Sequence, residues 1–262
     1  MSDVTAVEAS PRPEIARLHF TDLKEALSDG WRDFRRAPLF GLFFSAVYVL
    51  GGLALVLLGA GTVTWTLVVS LGFPLVAPFA AVGLYEVSRR LEQGQPLAWR
   101  EILGVVLREK DRQIPWMGAI IVIYFLFWTF LAHMIFALFM GLSVMTNISS
   151  SLEVFLTANG LTMIAVELAV GGVFAFILYS LTVVSLPLLL DKEIDFVTAM
   201  LISFRTVQEN FVVMLAWAFV IATLAFWSMV PLFLGLLVVL PVLGHATWHL
   251  YRRTLVSPAG QA

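Results

Sequence analysis

The sequence contains no cysteine and few charged residues. None of its 262 residues is cysteine, which excludes disulfide bonds, thiolate nucleophiles, iron–sulfur clusters and cysteine-ligated zinc or copper. Charged residues make up 13% and hydrophobic residues 60%, whereas soluble domains average about 25% and about 45–50%. With a mean hydropathy of +0.92, the chain is not a water-soluble globular protein. The net charge of −2 provides no overall basic field, so nucleic acid is not an expected partner.

Three long stretches lack any charged residue, namely 37–85, 113–152 and 210–251. A bilayer core of about 30 Å requires about 20 apolar residues of helix, so the first and last stretches each predict a hairpin of two spans. The middle of the chain predicts two further spans, separated by a polar loop at 146–151. The predicted fold is therefore an all-α polytopic membrane protein with six transmembrane helices. The six spans are expected at about 38–60, 63–87, 115–140, 161–190, 211–229 and 232–251.

The positive charges fall on one predicted side. All 16 lysines and arginines lie in segments 1–37, 88–114, 191–210 and 252–253, and the intervening loops at 59–62, 141–160 and 228–231 contain none. The positive-inside rule then places both termini in the cytoplasm. Residues 1–20, with two prolines and few large apolar side chains, are expected to be a disordered cytoplasmic tail. Residues 21–256 are expected to be the membrane domain.

A threefold plan is visible within this domain. Each predicted pair of spans is preceded by a short amphipathic segment, whose apolar stripes are Leu23, Leu27, Trp31 and Phe34; Trp99, Ile102 and Val106; and Phe196, Met200, Phe204 and Val207. Such segments either lie among the lipid headgroups or pack on the ends of the bundle. The run from Pro78 to Arg90 also matches the run from Pro241 to Arg253, with a proline, an aromatic residue and two arginines at equal offsets. The chain is therefore interpreted as three degenerate repeats of an amphipathic helix followed by a helical hairpin.

Several of these runs resemble a bacterial family. The segments FPLVAP at 73–78, GLYE at 83–86, LPLLLD at 186–191 and GHATWHLYR at 244–252 are similar to an uncharacterised family of predicted integral membrane proteins, a domain of unknown function found chiefly in proteobacteria. This resemblance implies a multi-pass protein of the bacterial inner membrane. Some members carry the label "putative cytochrome c oxidase subunit I".

The four histidines do not fit that label. His19 lies in the predicted tail, and His133 is expected about 27 Å across its span, near the outer face. His245 and His249 lie one turn apart on one helix, so they cannot bind a haem iron from opposite sides. No cofactor is predicted for this chain.

His245 and His249 nevertheless have the i, i+4 spacing of a metal-binding pair. Glu86, expected at a matching depth, is the candidate third ligand. In the alternative interpretation, both histidines belong to an aromatic belt at the membrane interface.

Glu167 is the one acidic residue expected within a span and away from its last turn, and a charge there is expensive unless it is paired or functional. It is expected at the same depth as His133 on the preceding antiparallel helix. The sequence therefore predicts a hydrogen-bonded His133–Glu167 pair, which either fastens two helices together or handles protons in a transporter.

No catalytic motif of a hydrolase, kinase or metalloprotease is present. The sequence favours a non-enzymatic inner-membrane protein that acts as an accessory, scaffold or assembly component for other membrane proteins. The alternative is a small transporter or channel that uses Glu167, His133 and proline-kinked helices, and a third possibility is a metal- or haem-linked respiratory factor. The expected partners are the lipid bilayer and other membrane proteins.

Overall fold

The computed structural model describes residues 13–57, 63–109, 111–141 and 155–256. The predicted turn at 59–62 and the polar loop at 146–151 lie outside these residues. The described helices are α1 (Phe20–Arg36), α2 (Pro38–Leu57), α3 (Val63–Glu92), α4 (Trp99–Glu109), α5 (Ile114–Met140), α6 (Ala158–Thr182), α7 (Ser185–Asp191), α8 (Phe196–Glu209), α9 (Phe211–Met229) and α10 (Leu236–Thr254). Two short strands, β1 (Glu14–Ile15) and β2 (Leu255–Val256), pair antiparallel.

The order of these helices follows the predicted threefold plan. The shorter amphipathic helices α1, α4 and α8 each precede two longer, more apolar elements. Within the described residues, α5, the combined segment Ala158–Asp191 and α9 are each long and apolar enough to cross a membrane. Helix α1 and the described part of α2 meet the same criterion together, although they are bent by 102°. The all-α membrane class is therefore confirmed, while the number of six spans and the side of the termini stay predictions.

Helix α10 lies at the centre of the packing. It contacts α1, α2, α3, α7 and α9, and most of its second half is buried. The closest approach is made by α1, where a Cβ added to Gly30 would lie 2.6 Å from the backbone nitrogen of Ala246. The absence of a side chain at Gly30 thus allows α1 to lie directly on the backbone of α10.

The buried face of α1 differs from the predicted stripe. Its buried residues are Leu23, Ala26, Gly30, Asp33 and Phe34, whereas Trp31 is 47% exposed. The small residues Ala26 and Gly30 determine this face because they permit contact between backbones. Helix α1 therefore packs one of its faces on the bundle, which is one of the two alternatives given for the amphipathic segments.

The predicted span 161–190 is broken in the structure. Helix α6 ends at Thr182, and α7 begins at Ser185. Pro187 accounts for the break, because a proline cannot donate to the carbonyl four residues earlier and its ring clashes with that carbonyl. At the break, Ser203 of α8 bridges two backbone groups that are not bonded to each other: its hydroxyl donates to the carbonyl of Ser180 at 2.7 Å and accepts from the backbone N–H of Val184 at 3.1 Å.

The proline inside α10 is accommodated in a similar way. Pro241 leaves the carbonyl of Leu237 without its helical donor. The hydroxyl of Ser45, buried on α2, donates at 2.7 Å to Gly41 of its own helix and lies 3.4 Å from the oxygen of Leu237. A neighbouring helix thus supplies a polar contact for the freed carbonyl, as membrane helices require.

The chain is ordered before residue 20, in contrast to the predicted tail 1–20. Strand β1 pairs with β2, and the backbone N–H of Ala16 donates to the carbonyl of Thr254 at 2.8 Å. Asn210 binds the segment between β1 and α1: its Oδ1 accepts from the N–H of Leu18 at 2.7 Å, and its Nδ2 donates to the carbonyl of Ala16 at 3.1 Å. These hydrogen bonds attach the segment from residue 13 to the helical domain. Residues 1–12 lie outside the described residues.

Candidate functional site

Four polar residues meet in the buried contact between α1, α3 and α10. Asp33 is 5% exposed on α1, Ser88 is fully buried on α3, and His245 is fully buried on α10. His249 lies one helical turn after His245, and its side chain is 17% exposed. These four residues are referred to below as the Asp33 cluster.

The Asp33 cluster is a continuous chain of hydrogen bonds. The hydroxyl of Ser88 donates to Oδ2 of Asp33 at 2.8 Å and lies 2.8 Å from Nδ1 of His245. The Nε2 atom of His249 lies 2.7 Å from the same Oδ2 atom. Because a carboxylate only accepts hydrogen bonds, His249 donates to Asp33.

This pattern assigns the tautomer of His245. The single proton of Ser88 points to Asp33, so Nδ1 of His245 must carry a proton and donate to the Ser88 oxygen. In the neutral ring, Nε2 is then an acceptor, and it is buried without a hydrogen-bond partner. The hydrogen bonds thus connect the fully buried imidazole of His245, through Ser88 and Asp33, to the imidazole of His249 near the end of the bundle.

Ion pairs surround the Asp33 cluster and join the elements at this end. Arg253 of α10 donates to Asp29 of α1 at 2.7 Å and lies 3.5 Å from Glu25. Burial acts to raise the pKa of Asp29, but the hydrogen bond from Arg253 and the nearby positive charges outweigh it and lower this pKa. The ionised carboxylate of Asp29 thus holds α1 onto the end of α10.

A second group of pairs connects α3 to α4 and to α7. Glu86 is fully buried and contacts Arg89 at 2.5 Å and Arg90 at 2.7 Å. Arg90 also pairs with Glu101 of α4, and Arg89 donates to the carbonyl of Leu190 at 3.1 Å. Glu86 is therefore the anchor of an arginine pair that reaches two other elements.

A third group joins the last turns of α3, α7 and α10. Glu92 accepts from the indole N–H of Trp248 at 3.0 Å and from Arg252 at 3.1 Å. Asp191 accepts from the hydroxyl of Tyr251 at 2.7 Å. All three repeats thus contribute charged side chains to the same end of the bundle, which is the end that the positive-inside rule assigns to the cytoplasm.

The three candidate metal ligands do not converge. His245 faces Ser88, and His249 faces Asp33, while Glu86 is engaged by two arginines. In the described part of the chain, no group of three or more histidine, aspartate or glutamate residues is arranged to hold a metal ion. His249 is paired with Asp33 and not with Glu86, because the packing of α1 on α10 brings Asp33 to the end of that helix.

No hydrogen bond joins His133 and Glu167 in the structure, in contrast to the predicted pair. The Nδ1 atom of His133 bonds instead to the carbonyl of Thr129 on its own helix at 2.7 Å. Because Nδ1 donates to this backbone carbonyl, the neutral imidazole of His133 has no second N–H to donate to Glu167.

Glu167 instead lines a groove between α5 and α6. The groove has a volume of about 430 Å³, and its walls include Tyr124, Trp128, Gly171 and Phe174. The ring of Trp128 packs against the glycine, since a Cβ added to Gly171 would lie 2.9 Å from it. A half-buried carboxyl group therefore opens onto an apolar groove on the outer surface of the helical bundle. This groove is called the α5–α6 groove below.

The sequence interpretation missed Asp33 and Ser88. A signal for Asp33 was present, because it falls three residues after Gly30 and seven after Ala26, on the face that these small residues define. A carboxylate on the packing face of an amphipathic helix indicates a buried partner. Ser88 carried no comparable signal, since a lone serine near a helix end is common.

Comparison with known families bears on the middle of the chain. Residues 66–191 match the family model described as "Predicted integral membrane protein (DUF2189)". The resemblance to predicted integral membrane proteins of unknown function is confirmed over these residues. The DUF2189 match covers α4, α5, α6 and α7 and most of α3, and therefore includes Ser88, Glu86 and the α5–α6 groove. No curated protein and no solved structure matched the chain.

Proposed function

We propose that this chain is a six-span protein of the bacterial inner membrane, with both termini in the cytoplasm, and that it acts as a non-enzymatic accessory or scaffold for other membrane proteins. The observation that carries the proposal is the contrast between its polar and its apolar groups. The polar groups of the Asp33 cluster bind one another between α1, α3 and α10. The outward side chains of α5 and α9 are largely apolar and exposed, among them Phe127, Phe130, Leu138, Phe219 and Phe226.

The proposed topology is supported by the gathering of charged residues at one end. Arg253, Arg90 and Arg252 connect α1, α4 and α7 to that end through ion pairs. A membrane requires such a charged layer to remain in the aqueous or headgroup region, because charges are costly in hydrocarbon.

The topology can be tested directly because the chain has no cysteine of its own. Single cysteines at Gln95, between α3 and α4, and at Leu232, between α9 and α10, should differ in their labelling by a membrane-impermeant maleimide. We expect intact cells with a permeabilised outer membrane to label Leu232→Cys and to spare Gln95→Cys until the inner membrane is lysed. Labelling of both cysteines, or of Gln95→Cys alone, would contradict the proposed sidedness.

The α5–α6 groove is the proposed place of contact with a partner helix. Helix α5 is the least buried of the membrane-capable helices, with 6% of its apolar window buried. Within the groove, a Cβ at Gly172 would have no neighbour within 4 Å. Close packing of membrane helices relies on such small residues, and a polar side chain such as Glu167 can add an interhelical hydrogen bond.

A cysteine at Gly172 carrying a photoactivatable maleimide tests this contact in native membranes. Gly51 on α2 is the matched control, because a Cβ there also has open space. We expect Gly172→Cys to yield one discrete crosslinked product that is absent for Gly51→Cys. If neither position yields a product, or if both yield the same products, the α5–α6 groove is not a partner site.

The alternative function is a small transporter, and the position of Glu167 is the observation that favours it. An ionisable group at membrane depth next to His133 is a candidate proton carrier. The test is proton flux into liposomes containing the purified protein and a trapped pH dye. Flux that disappears in Glu167→Gln would favour transport, whereas liposomes with the same leak as protein-free ones would favour the scaffold.

A metal- or haem-linked role has less support. His245 and His249 are already engaged by Ser88 and Asp33, so a metal would have to displace a buried hydrogen-bond network. Metal analysis of the purified protein tests this role, and stoichiometric metal that is lost in a His245→Ala/His249→Ala variant would support it.

A further inference from the structure

The outer face of α1 carries a basic depression. It has a volume of about 400 Å³ and is lined by Ser28, Trp31, Arg32, Arg35 and Arg36. Each of these positions lies three or four residues from at least one other in the set, so they share one side of the helix. They are called the α1 basic pocket below.

The positive charge of this pocket is only partly compensated. Arg32 contacts Asp29 at 2.8 Å, but Asp29 also accepts from Arg253. In the described part of the chain, no ion pair or hydrogen bond engages the side chain of Arg35 or Arg36, and both residues are exposed. The pocket thus presents guanidinium groups whose donors are free for an external anion.

The opposite face of α1 is held against the bundle. Gly30 lies on the backbone of α10, and Asp33 is bonded to Ser88 and His249. Because α1 cannot rotate without breaking these contacts, the face that carries Arg35 and Arg36 stays turned away from the bundle.

An apolar surface begins directly beside the pocket. After Ala37 the chain turns by 102° from α1 into α2, so α1 runs nearly parallel to the membrane plane if α2 crosses it. On the first turns of α2, Leu39 is 67% and Phe43 is 50% exposed. A molecule that contacts both surfaces must combine a negatively charged head with apolar chains.

We propose that the α1 basic pocket binds the phosphate headgroup of an anionic phospholipid, with the acyl chains lying along the first turns of α2. The inference rests on the proposed topology, which puts this corner at the cytoplasmic interface. Arginine is suited to the task because its planar guanidinium group forms two parallel hydrogen bonds with phosphate. Trp31, 47% exposed in the pocket wall, is a residue type that favours the headgroup level.

Native mass spectrometry of the delipidated protein in detergent tests the proposal. The probes are phosphatidylglycerol, phosphatidylcholine with the same acyl chains, and inorganic phosphate. We expect binding of phosphatidylglycerol in preference to the other two, and a loss of about tenfold or more in its affinity in the Arg35→Gln/Arg36→Gln variant. The matched control is Arg100→Gln/Arg108→Gln, which removes two exposed arginines from α4 and should leave the affinity unchanged.

A charge-conserving variant provides a second readout that does not depend on the loss of two charges. Arg35→Lys/Arg36→Lys should retain preference for phosphatidylglycerol over phosphatidylcholine but bind less tightly than arginine. Equal binding of the two lipids by the unmodified protein would overturn the proposal. So would equal loss of affinity in the α1 and α4 variants, or binding of inorganic phosphate as tight as that of the lipid.

Failure here can be distinguished from failure of the proposed function. Detergent micelles have no sides, so lipid binding is measured independently of the topology. A cysteine-labelling pattern as expected, together with no lipid preference, would reject the lipid site alone. Labelling of Gln95→Cys from outside would reject the topology whatever the lipid result.

Discussion

The hydroxyl of Ser88 lies 2.8 Å from Nδ1 of His245, although 157 positions separate the two residues. This contact joins the second long helix of the first repeat to that of the third, in a region from which water is excluded. Ser88 also donates to Asp33 of α1, so one hydroxyl group connects three helices. The stability of this end of the bundle is expected to depend on it.

Ser88→Ala should therefore destabilise the protein by about 1–3 kcal/mol, because it leaves the buried imidazole N–H of His245 without a partner and removes one of the two hydrogen bonds that Oδ2 of Asp33 accepts. The measurement is the thermal unfolding midpoint in detergent. Ser28→Ala is the control, since Ser28 is exposed on the outer face of α1 and should leave the midpoint unchanged. An equal change of the midpoint in both variants would mean that the hydrogen bonds of Ser88 make no net contribution to the stability of the folded protein.

Gly30→Ala should weaken the attachment of α1 to α10. The added methyl group would meet backbone atoms of Ala246 and Val242 at 2.6 Å, and backbone cannot move aside as the end of a flexible side chain can. We expect a loss of about 1–3 kcal/mol and faster proteolysis within α1.

Gly104→Ala on α4 is the matched control for that substitution. Its nearest neighbour would be the end of the Arg108 side chain at 3.6 Å, so alanine should be neutral or slightly stabilising in this helix. Destabilisation at Gly104 equal to that at Gly30 would show that the close backbone contact is not the cause.

Acid should loosen the contact between α1 and α10 through Asp29. The pKa of Asp29 is lowered in the folded protein, mainly because Arg253 donates to it against the effect of burial. A lowered folded pKa contributes stability that is complete above the unfolded pKa of about 4 and is lost as the pH falls through the folded value. We expect the unfolding midpoint to fall on acidification below about pH 4, and to fall less in Asp29→Asn.

Glu86 and Glu167 should respond oppositely to the same substitution. Glu86→Gln removes the buried counter-ion of Arg89 and Arg90 and should cost on the order of 3 kcal/mol. Glu167 forms no hydrogen bond or ion pair with the described residues, so Glu167→Gln should leave the unfolding midpoint unchanged or raise it. If Glu167→Gln stabilises the protein and also abolishes the crosslink formed by Gly172→Cys, then Glu167 serves interaction with a partner and not folding.

The sequence predicted the long elements well because their signal is local. The predicted span 211–229 coincides with α9, and 115–140 differs from α5 by one residue at its start. The prediction of helix limits was less accurate where a proline or a left-handed backbone conformation interrupts helical hydrogen bonding. Pro187 breaks the span predicted at 161–190, and the predicted start at 232 is shifted to Leu236 because Leu232 and Phe233 adopt left-handed backbone conformations in the turn.

The candidate site was predicted only in part. His245 and His249 were recognised from their spacing, but their partner was taken to be Glu86, which lies at a similar depth. In the structure, Asp33 contacts His249 and Ser88 contacts His245, since Gly30 permits α1 to pack on α10. Likewise, the predicted hydrogen bond between His133 and Glu167 is absent, since His133 bonds to the carbonyl of Thr129 instead.

The preference of each segment for lipid or water depends on its own residues, and the sequence alone therefore determined the membrane class, the limits of α5 and α9 and the gathering of cations between particular segments. These properties depend on the hydropathy of consecutive residues, which tertiary contacts scarcely alter. Only the tertiary structure decided which polar groups share hydrogen bonds, because Asp33, Ser88 and His245 come from three distant segments. Their meeting depends on two backbones approaching closely at a glycine, and neither composition nor spacing encodes which surface such a glycine will face.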